Sequence, residues 1–432
     1  MAVTYDAVHG AATIGARRQI SPGIKRLALV FLWITIATGG IVYWEPAPYD
    51  ALMIGAVILL PLVGLAPLTR GLSVYLVLLC GIVAGGYIAT TQAGLLSVPV
   101  THVTITLFLA LSSVVMAAFV AHNPQANVRL IMSAYMVAAL VAAAAALIGY
   151  FDLVPGAYDI FTEFGRARGT FKDPNVLGAF LVPALLYAFN VVLTGRLVRG
   201  GVWALALPLL LFGTLLSFSR GAWLNLLVAL AVYGFFTFII AGTNRERIKL
   251  IISIVLAGVC AVGVLAAAQS IPKVSELLGE RASFEQSYDV GPEGRFGGQE
   301  KAADLVVTHP LGIGALEFGR VHHHEDVHEV YLNMFLNTGW IGGTLYIFLV
   351  LATLVLGLKL VLRDRGGDGV SVVMVAAFAG IAIEGTVIDS DHWRHFYLIM
   401  AMIWGMALAR PSDARSRSWA RTDEENGRSG EI

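Results

Sequence analysis

Residues 102–121, HVTITLFLALSSVVMAAFVA, and 129–149, RLIMSAYMVAALVAAAAALIG, decide the fold class. Each has the length of about 20 apolar residues that a helix needs to cross a bilayer. Between His102 and Gly149 the only formally charged side chain is Arg129. Working outward, runs of the same kind lie near 27–44, 50–68, 72–91, 176–194, 202–218, 222–241, 248–268, 329–361, 370–388 and 393–409. By length the chain therefore has about 12 spans. The run at 329–361 is long for one span, and its Gly-rich stretch Thr338-Gly339-Trp340-Ile341-Gly342-Gly343 marks an entry segment or a kink.

Composition agrees. Of 432 residues 57% are hydrophobic and 13% charged, and mean hydropathy is +0.76; a soluble domain carries roughly 25% charged residues. The expected class is all-α, a polytopic membrane protein with a large helical periplasmic loop. Zero formal net charge argues against a nucleic acid partner. Cys80 and Cys260 fall inside apolar runs and read as small hydrophobes rather than a disulfide pair. No small-residue cleavage site follows the first run, which ends at Tyr43-Trp44-Glu45-Pro46, so it reads as a retained helix.

Orientation follows from Lys and Arg, which favour the cytoplasmic side. With residues 1–26 as a cytoplasmic N-terminal segment, most of the 29 basic residues fall inside and most of the 29 acidic residues outside. Both termini are then cytoplasmic, and 411–432 is a polar, disordered tail. Two outer segments, 150–175 and 269–328, are too long for simple connectors. Within the second, Pro272–Phe284 and Glu300–Thr308 have the pattern of short helices lying on the membrane surface.

Most outer cations sit in these loops: Arg166, Arg168 and Lys172 in the first, and Lys273, Arg281, Arg295, Lys301 and Arg320 in the second. Arg220 stands in the tight turn Ser217-Phe218-Ser219-Arg220-Gly221-Ala222. Arginine kept outside against the charge bias suits an anionic ligand, since a guanidinium forks phosphate oxygens; the plainer reading is a headgroup anchor or a loop salt bridge. In Arg168-Gly169-Thr170-Phe171-Lys172-Asp173-Pro174-Asn175, Asp173 and Pro174 open a helix, and the flanking cations make that end an anion site. The run His322-His323-His324-Glu325-Asp326-Val327-His328-Glu329 contains His324-Glu325-x-x-His328, formally a zinc protease spacing. A third zinc ligand would require a sharp turn. His322, His323 and His324 also read as a solvated run without function, whereas His328 abuts a span and can serve as a base near neutral pH. Glu384 lies near the outer end of a late span, with Asp389, Asp391, His392, Arg394 and His395 just outside it.

These features, in this order, resemble the O-antigen ligase and polymerase superfamily of bacterial envelope enzymes. The resemblance covers roughly residues 150–345 and runs through Gly169–Asn175, Ser219–Ala222, Gly294-Arg295, His309-Pro310-Leu311-Gly312-Ile313-Gly314, Val327–Leu332 and Thr338–Gly342. It implies a ligase-like catalytic membrane region at 150–410 behind N-terminal transmembrane helices at 27–149. It also implies an inverting transferase that uses neither metal nor cofactor, with a donor glycan carried on undecaprenyl pyrophosphate. The acceptor would be lipid A core or a growing polysaccharide. Arg220 and Arg295 match the positions that hold the pyrophosphate, supported by Arg168 and Lys172; His328 matches the acceptor base. Asp173 and Asn175 are substrate-binding or structural. Two departures stand out: Glu329 replaces the usual Asn and is expected to orient His328, and Gly298 or Gln299 replaces an aromatic residue after Arg295. Repeat-unit polymerisation uses the same donor chemistry. A transporter of lipid-linked sugars or small solutes is the reading from another class, disfavoured because the charges lie in loops rather than at the midplane; a non-catalytic assembly partner is a third.

Overall fold

Helices form wherever the apolar runs predict them, because a chain in hydrocarbon must satisfy its own backbone groups. The computed structural model describes residues 20–195, 197–270, 275–276, 279, 291, 294–363 and 367–409. Along the chain come α1 (Pro22–Ala37), α2 (Pro48–Leu62), α3 (Ser73–Thr90), α4 (Ser97–His122), α5 (Pro124–Tyr150), a short α6 (Ala157–Phe161) and a two-stranded hairpin of β1 (Thr162–Glu163) and β2 (Arg166–Ala167). There follow α7 (Pro174–Thr194), α8 (Leu197–Leu216), α9 (Arg220–Ile240), α10 (Asn244–Gln269), α11 (Arg295–Thr308), α12 (Val330–Arg363), α13 (Val370–Glu384) and α14 (Arg394–Leu408). Each predicted apolar run has its helix. Among the described residues, seven helices are long and apolar enough to cross a membrane, in α1, α3, α4, α5, α7, α9 and α12. Helices α2, α13, α14 and residues 203–216 of α8 are shorter apolar helices. The chain is an all-α integral membrane protein.

Helix starts are written locally. Pro22, Pro48, Pro124 and Pro174 occupy first-turn positions, where a missing N–H removes no bond. Ser21 and Asp173 cap their helices, and the Asp50 carboxylate accepts from the Ala47 N–H at 2.8 Å. The expected helix Pro272–Phe284 lies outside the described residues, apart from isolated positions within it, as do Arg196, Lys273, Arg281, Arg365 and the tail 411–432.

Helix α13 is buried on almost every face, packed by α9, α12 and α14, while α3 lies along α12 and α4 along α14. Outward-facing Leu227, Phe235, Ile251, Ile252 and Leu256 on α9 and α10 are exposed apolar side chains suited to lipid. Small residues permit the close crossings. A Cβ on Gly85 of α3 would stand 2.5 Å from the Thr338 carbonyl oxygen of α12.

The Gly-rich stretch of α12 is a kink rather than an entry segment, and it sits at Gly339, whose backbone lies at φ 68°, ψ −177°. The break frees two backbone groups, and the motif His309–Gly314 takes both. Trp340 N–H donates to the Pro310 carbonyl at 2.9 Å, and Ile313 N–H donates to the Leu336 carbonyl at 2.8 Å. The two motifs are thus one interlock. It anchors a small cap with its own core of Ala302, Ile313, Phe318, Val327 and Leu336. Helix α11 belongs to this cap: it begins at Arg295, earlier than the expected Glu300, and its Val306 carbonyl accepts from Trp340 Nε1 at 2.7 Å.

Candidate active site

Arg220 is the first residue of α9. Ser219 caps that helix, its Oγ accepting from the Ala222 N–H at 3.2 Å, and Phe218 turns the chain with φ 47°. The turn is stapled from three sides. Buried Arg166 donates from Nε to the Ser217 carbonyl at 2.8 Å and from Nη2 to Asn175 Oδ1 at 2.7 Å, tying it to the start of α7. Gly178 lets α7 approach so closely that a Cβ there would stand 2.6 Å from Ala222 Cβ. On the opposite side, a Cβ on Gly221 would stand 3.1 Å from Oε1 of buried Glu384. Glu384 Oε2 accepts from Asn225 Nδ2 at 2.7 Å, and Oε1 has no hydrogen-bond partner among the described residues.

The next residue carries the connection to the cap. Val330 N–H donates to the Gly385 carbonyl at 2.8 Å, two residues after His328. The His328 carbonyl accepts from Arg295 Nη2 at 3.2 Å and Gln299 Nε2 at 3.4 Å. Arg220, Glu384, the Gly385–Val330 joint, His328 and Arg295 therefore form a linked series at one end of the bundle, although sequence separates them widely. Both residues that stand in for the aromatic after Arg295 are used structurally: Gln299 holds the His328 carbonyl, and Gly298 leaves room for the His323 ring, which a Cβ would meet at 3.3 Å.

The side chain of His328 remains 42% exposed, with Nε2 3.3 Å from Glu325 Oε2. The expected orienting residue, Glu329, faces elsewhere. Its carboxylate accepts from the Tyr331 N–H at 3.1 Å and the Leu332 N–H at 2.7 Å, capping α12. Burial raises the Glu329 pKa, partly offset by those two bonds. The carboxylate within reach of His328 is that of Glu325. Residues 323–329 are not helical, so His324 and His328 do not share a helix face as the zinc protease reading requires.

The remaining predicted residues gather elsewhere at this end. Arg168 donates to Tyr43 Oη at 2.8 Å, lies 4.7 Å from that ring's centroid and 3.6 Å from Glu163. Asp173 caps α7, accepting from the Asn175 N–H at 2.7 Å. Lys172 reaches Glu45 at 3.8 Å on the rim of a cleft of about 210 Å³ that also touches Asp173 and the start of α14. Arg168, Lys172, Asp173 and Asn175 are thus bound up with the α1–α2 loop and the start of α7, while Arg220, Arg295 and His328 form the other group.

Between these groups lie Asp389 and Asp391. Burial and the neighbouring Asp391 hold Asp389 well above the carboxylate range. For Asp391 burial raises the pKa, but His392 and His102 outweigh it and keep the group ionised. His102 Nε2 stands 3.1 Å from Asp391 Oδ2, and burial pushes His392 down to about 4. His102, Asp391 and His392 have ligand atoms within 4.8 Å of one another. However, the two imidazoles stack at 3.8 Å and 24°, so their in-plane lone pairs do not converge on one ion. His392 Nε2 instead pairs with Thr106 Oγ1 at 2.8 Å.

Residues 204–347 match the model of the O-antigen ligase family. That match supports the O-antigen ligase/polymerase superfamily. The matched segment runs from α8 past the kink of α12 and includes Arg220, Arg295 and His328; Arg168, Lys172, Asp173, Asn175 and Glu384 lie outside it. No curated protein matches the chain. The O-antigen ligase family points to a membrane glycosyltransferase whose substrates are, in general, lipid-linked glycans and polysaccharides. Sequence reasoning missed the structural use of Arg166, the pairing of Glu325 with His328, and Asn225 as the partner of Glu384. Only the charge of Arg166 gave any signal.

Proposed function

We propose that the protein transfers a glycan from undecaprenyl pyrophosphate to an acceptor hydroxyl at the outer face of the bacterial inner membrane, with both termini in the cytoplasm. The acceptor is lipid A core, in the manner of an O-antigen ligase; polymerisation of repeat units by the same chemistry is the alternative. The observation that carries this reading is the linked series from Arg220 through Glu384 and Gly385 to His328 and Arg295. Arg220 and Arg295 stabilise the negative charge that grows on the departing pyrophosphate. A preorganised donor of this kind is worth about 10²–10³ in rate. His328 takes the acceptor proton as the hydroxyl attacks the anomeric carbon from the face opposite the pyrophosphate, inverting that centre. Glu325 orients the imidazole. Arg168, Lys172, Asp173 and Asn175 shape the neighbouring end of α7.

The test is complementation of a deletion strain. Arg220→Ala, Arg295→Ala and His328→Ala should each abolish polymer-bearing lipopolysaccharide on gels while leaving membrane insertion intact. Free lipid-linked polymer in the deletion strain marks a ligase and single-repeat glycan a polymerase. Normal surface glycan in the Arg220 or His328 variant overturns the mechanism. Reporter fusions near residue 300 should read periplasmic and near 245 cytoplasmic.

A further inference from the structure

The cleft beside Lys172 is lined by none of Arg220, Arg295 and His328. Its floor is aromatic and buried: Phe171, Phe180 and Trp393. His395, itself buried, also lines it, and its Nε2 has no hydrogen-bond partner among the described residues. A buried imidazole nitrogen without a partner is costly unless something polar meets it. The rim carries Lys172, Glu45 and Arg394.

Charge and size narrow the ligand. Arg394 donates to both oxygens of Asp50, at 2.8 and 2.7 Å, and stands 3.9 Å from Glu45. Lys172 faces Glu45 at 3.8 Å, and Asp173 adds a further carboxylate. The two cations are therefore matched or exceeded by carboxylates, which disfavours a phosphate. A cleft of about 210 Å³ is below the roughly 300–1,000 Å³ that accommodates a drug-sized ligand. An aromatic floor suits the C–H face of a ring, and carboxylate, ammonium and imidazole groups suit hydroxyls.

We propose that this cleft between the starts of α7 and α14 is a saccharide subsite that holds one uncharged sugar unit, with His395 Nε2 bonded to a ring hydroxyl. The inference rests on the glycosyltransferase reading for its substrate class. The sugar can come from the donor glycan or from the acceptor, and the cleft opens at the same end of the bundle as Arg220, to which α7 is tied by Arg166 and Asn175.

The experiment uses the full chain in nanodiscs, with Cys80 and Cys260 replaced by serine and Val176→Cys introduced. Val176 lines the cleft and is half-buried. The rate of labelling by a water-soluble maleimide is measured with methyl glycosides of glucose, galactose, mannose and N-acetylglucosamine, and with inorganic pyrophosphate. A bound ligand at about twice its Kd slows labelling about threefold. At least one glycoside should protect, pyrophosphate should not, and His395→Ala should remove the protection while His395→Gln retains part of it. Protection by pyrophosphate alone, or by nothing, overturns the proposal, the second outcome leaving a water-filled cleft. Membranes from a strain without donor glycan and from one without acceptor identify which sugar protects natively. Sugar protection with unimpaired transfer by Arg220→Ala would sink the enzymatic mechanism and keep the subsite; the reverse pattern would sink the subsite alone.

Discussion

Replacing Gly339 by alanine should unlatch the cap without unfolding the bundle. At φ 68°, ψ −177° the backbone occupies a region essentially confined to glycine, and alanine there costs on the order of 1–3 kcal/mol. The new Cβ would lie 2.9 Å from the carbonyl carbon and oxygen of Leu311 and from the Pro310 oxygen. These are backbone atoms, so no side-chain rotation relieves the contact and His309–Gly314 must move. Movement breaks Trp340 N–H to Pro310 and Ile313 N–H to Leu336, each contributing about 0.5–1.5 kcal/mol net. The combined loss is about 2–6 kcal/mol, concentrated where the cap meets α12. Hydrogen exchange at residues 309–314 in nanodiscs reads it directly: 2 kcal/mol accelerates exchange about 30-fold. Transfer should fall with it, because His328 rides on the same cap. Gly258→Ala is the control; Gly258 is an exposed glycine in α10 with no atom within 4 Å of an added Cβ. If Gly339→Ala matches that control in exchange and transfer, the interlock does not hold the cap.

Glu325→Gln should lower transfer by up to about 100-fold with little loss of stability, since it weakens the orientation of an acid–base group. Glu329→Gln should mainly cost stability, about 0.5–2 kcal/mol as a damaged cap at pH values where the native carboxylate is ionised. The folded pKa of Glu329 lies above the ordinary 4.5. The unfolded chain therefore ionises first, and wild-type thermal stability should fall as pH rises from 4.5 to the folded value; a flat wild-type profile across that window would contradict the burial. Glu317 has the opposite sign: its bond to Arg320, against an opposing burial effect, lowers its pKa below 4.5. The clamp of Glu317 with Arg320 and the Gly94 N–H should persist above pH 4.5 and loosen as pH falls through the folded value. A lower exchange protection factor at Gly94 in acid, relative to the intrinsic rate at the same pH and abolished as a pH effect by Glu317→Gln, is the expected result. Chelation with EDTA should leave transfer unchanged; loss with EDTA and rescue by zinc would revive a metal role for the histidine run.

Helix positions were legible because the requirement of hydrocarbon is local. A run such as 129–149 must satisfy its backbone internally whatever its neighbours do. The kink was legible for the same reason, since Thr338–Gly343 concentrates glycine inside a long run. Arg220 stood out through its tight turn. What the sequence hid is pairing across distance. Arg166 and Arg168 look alike as loop cations, yet one is buried against Ser217 and Asn175 and the other lies over Tyr43. Glu325 and Glu329 each neighbour His328, and only the non-helical path of 323–329 decides which one faces it. Asn225 and Glu384 meet because α9 packs on α13, which no local pattern records.

The anchoring of Arg220 and of His328 follows one physical logic on two separate bodies. Stabilisation of a developing charge works when the donors need no reorganisation, so each needs a rigid mount. Arg220 gains its mount from the membrane bundle, where Arg166, Gly178 and Glu384 fix the first turn of α9, whose helix dipole also favours an anion. His328 and Arg295 gain theirs from the cap, which has its own small core and docks through the Gly339 interlock. The two bodies meet at the Val330–Gly385 hydrogen bond, beside Glu384. Buried carboxylates near a membrane boundary are expensive, and Glu384 stands where it contacts Gly221 on one side and precedes that joint on the other. Its placement registers the cap against the turn that carries Arg220, so the distance from the proposed base to the proposed pyrophosphate cradle is set by packing at Gly221 and Gly385, positions where a larger side chain would meet Glu384 or Val330.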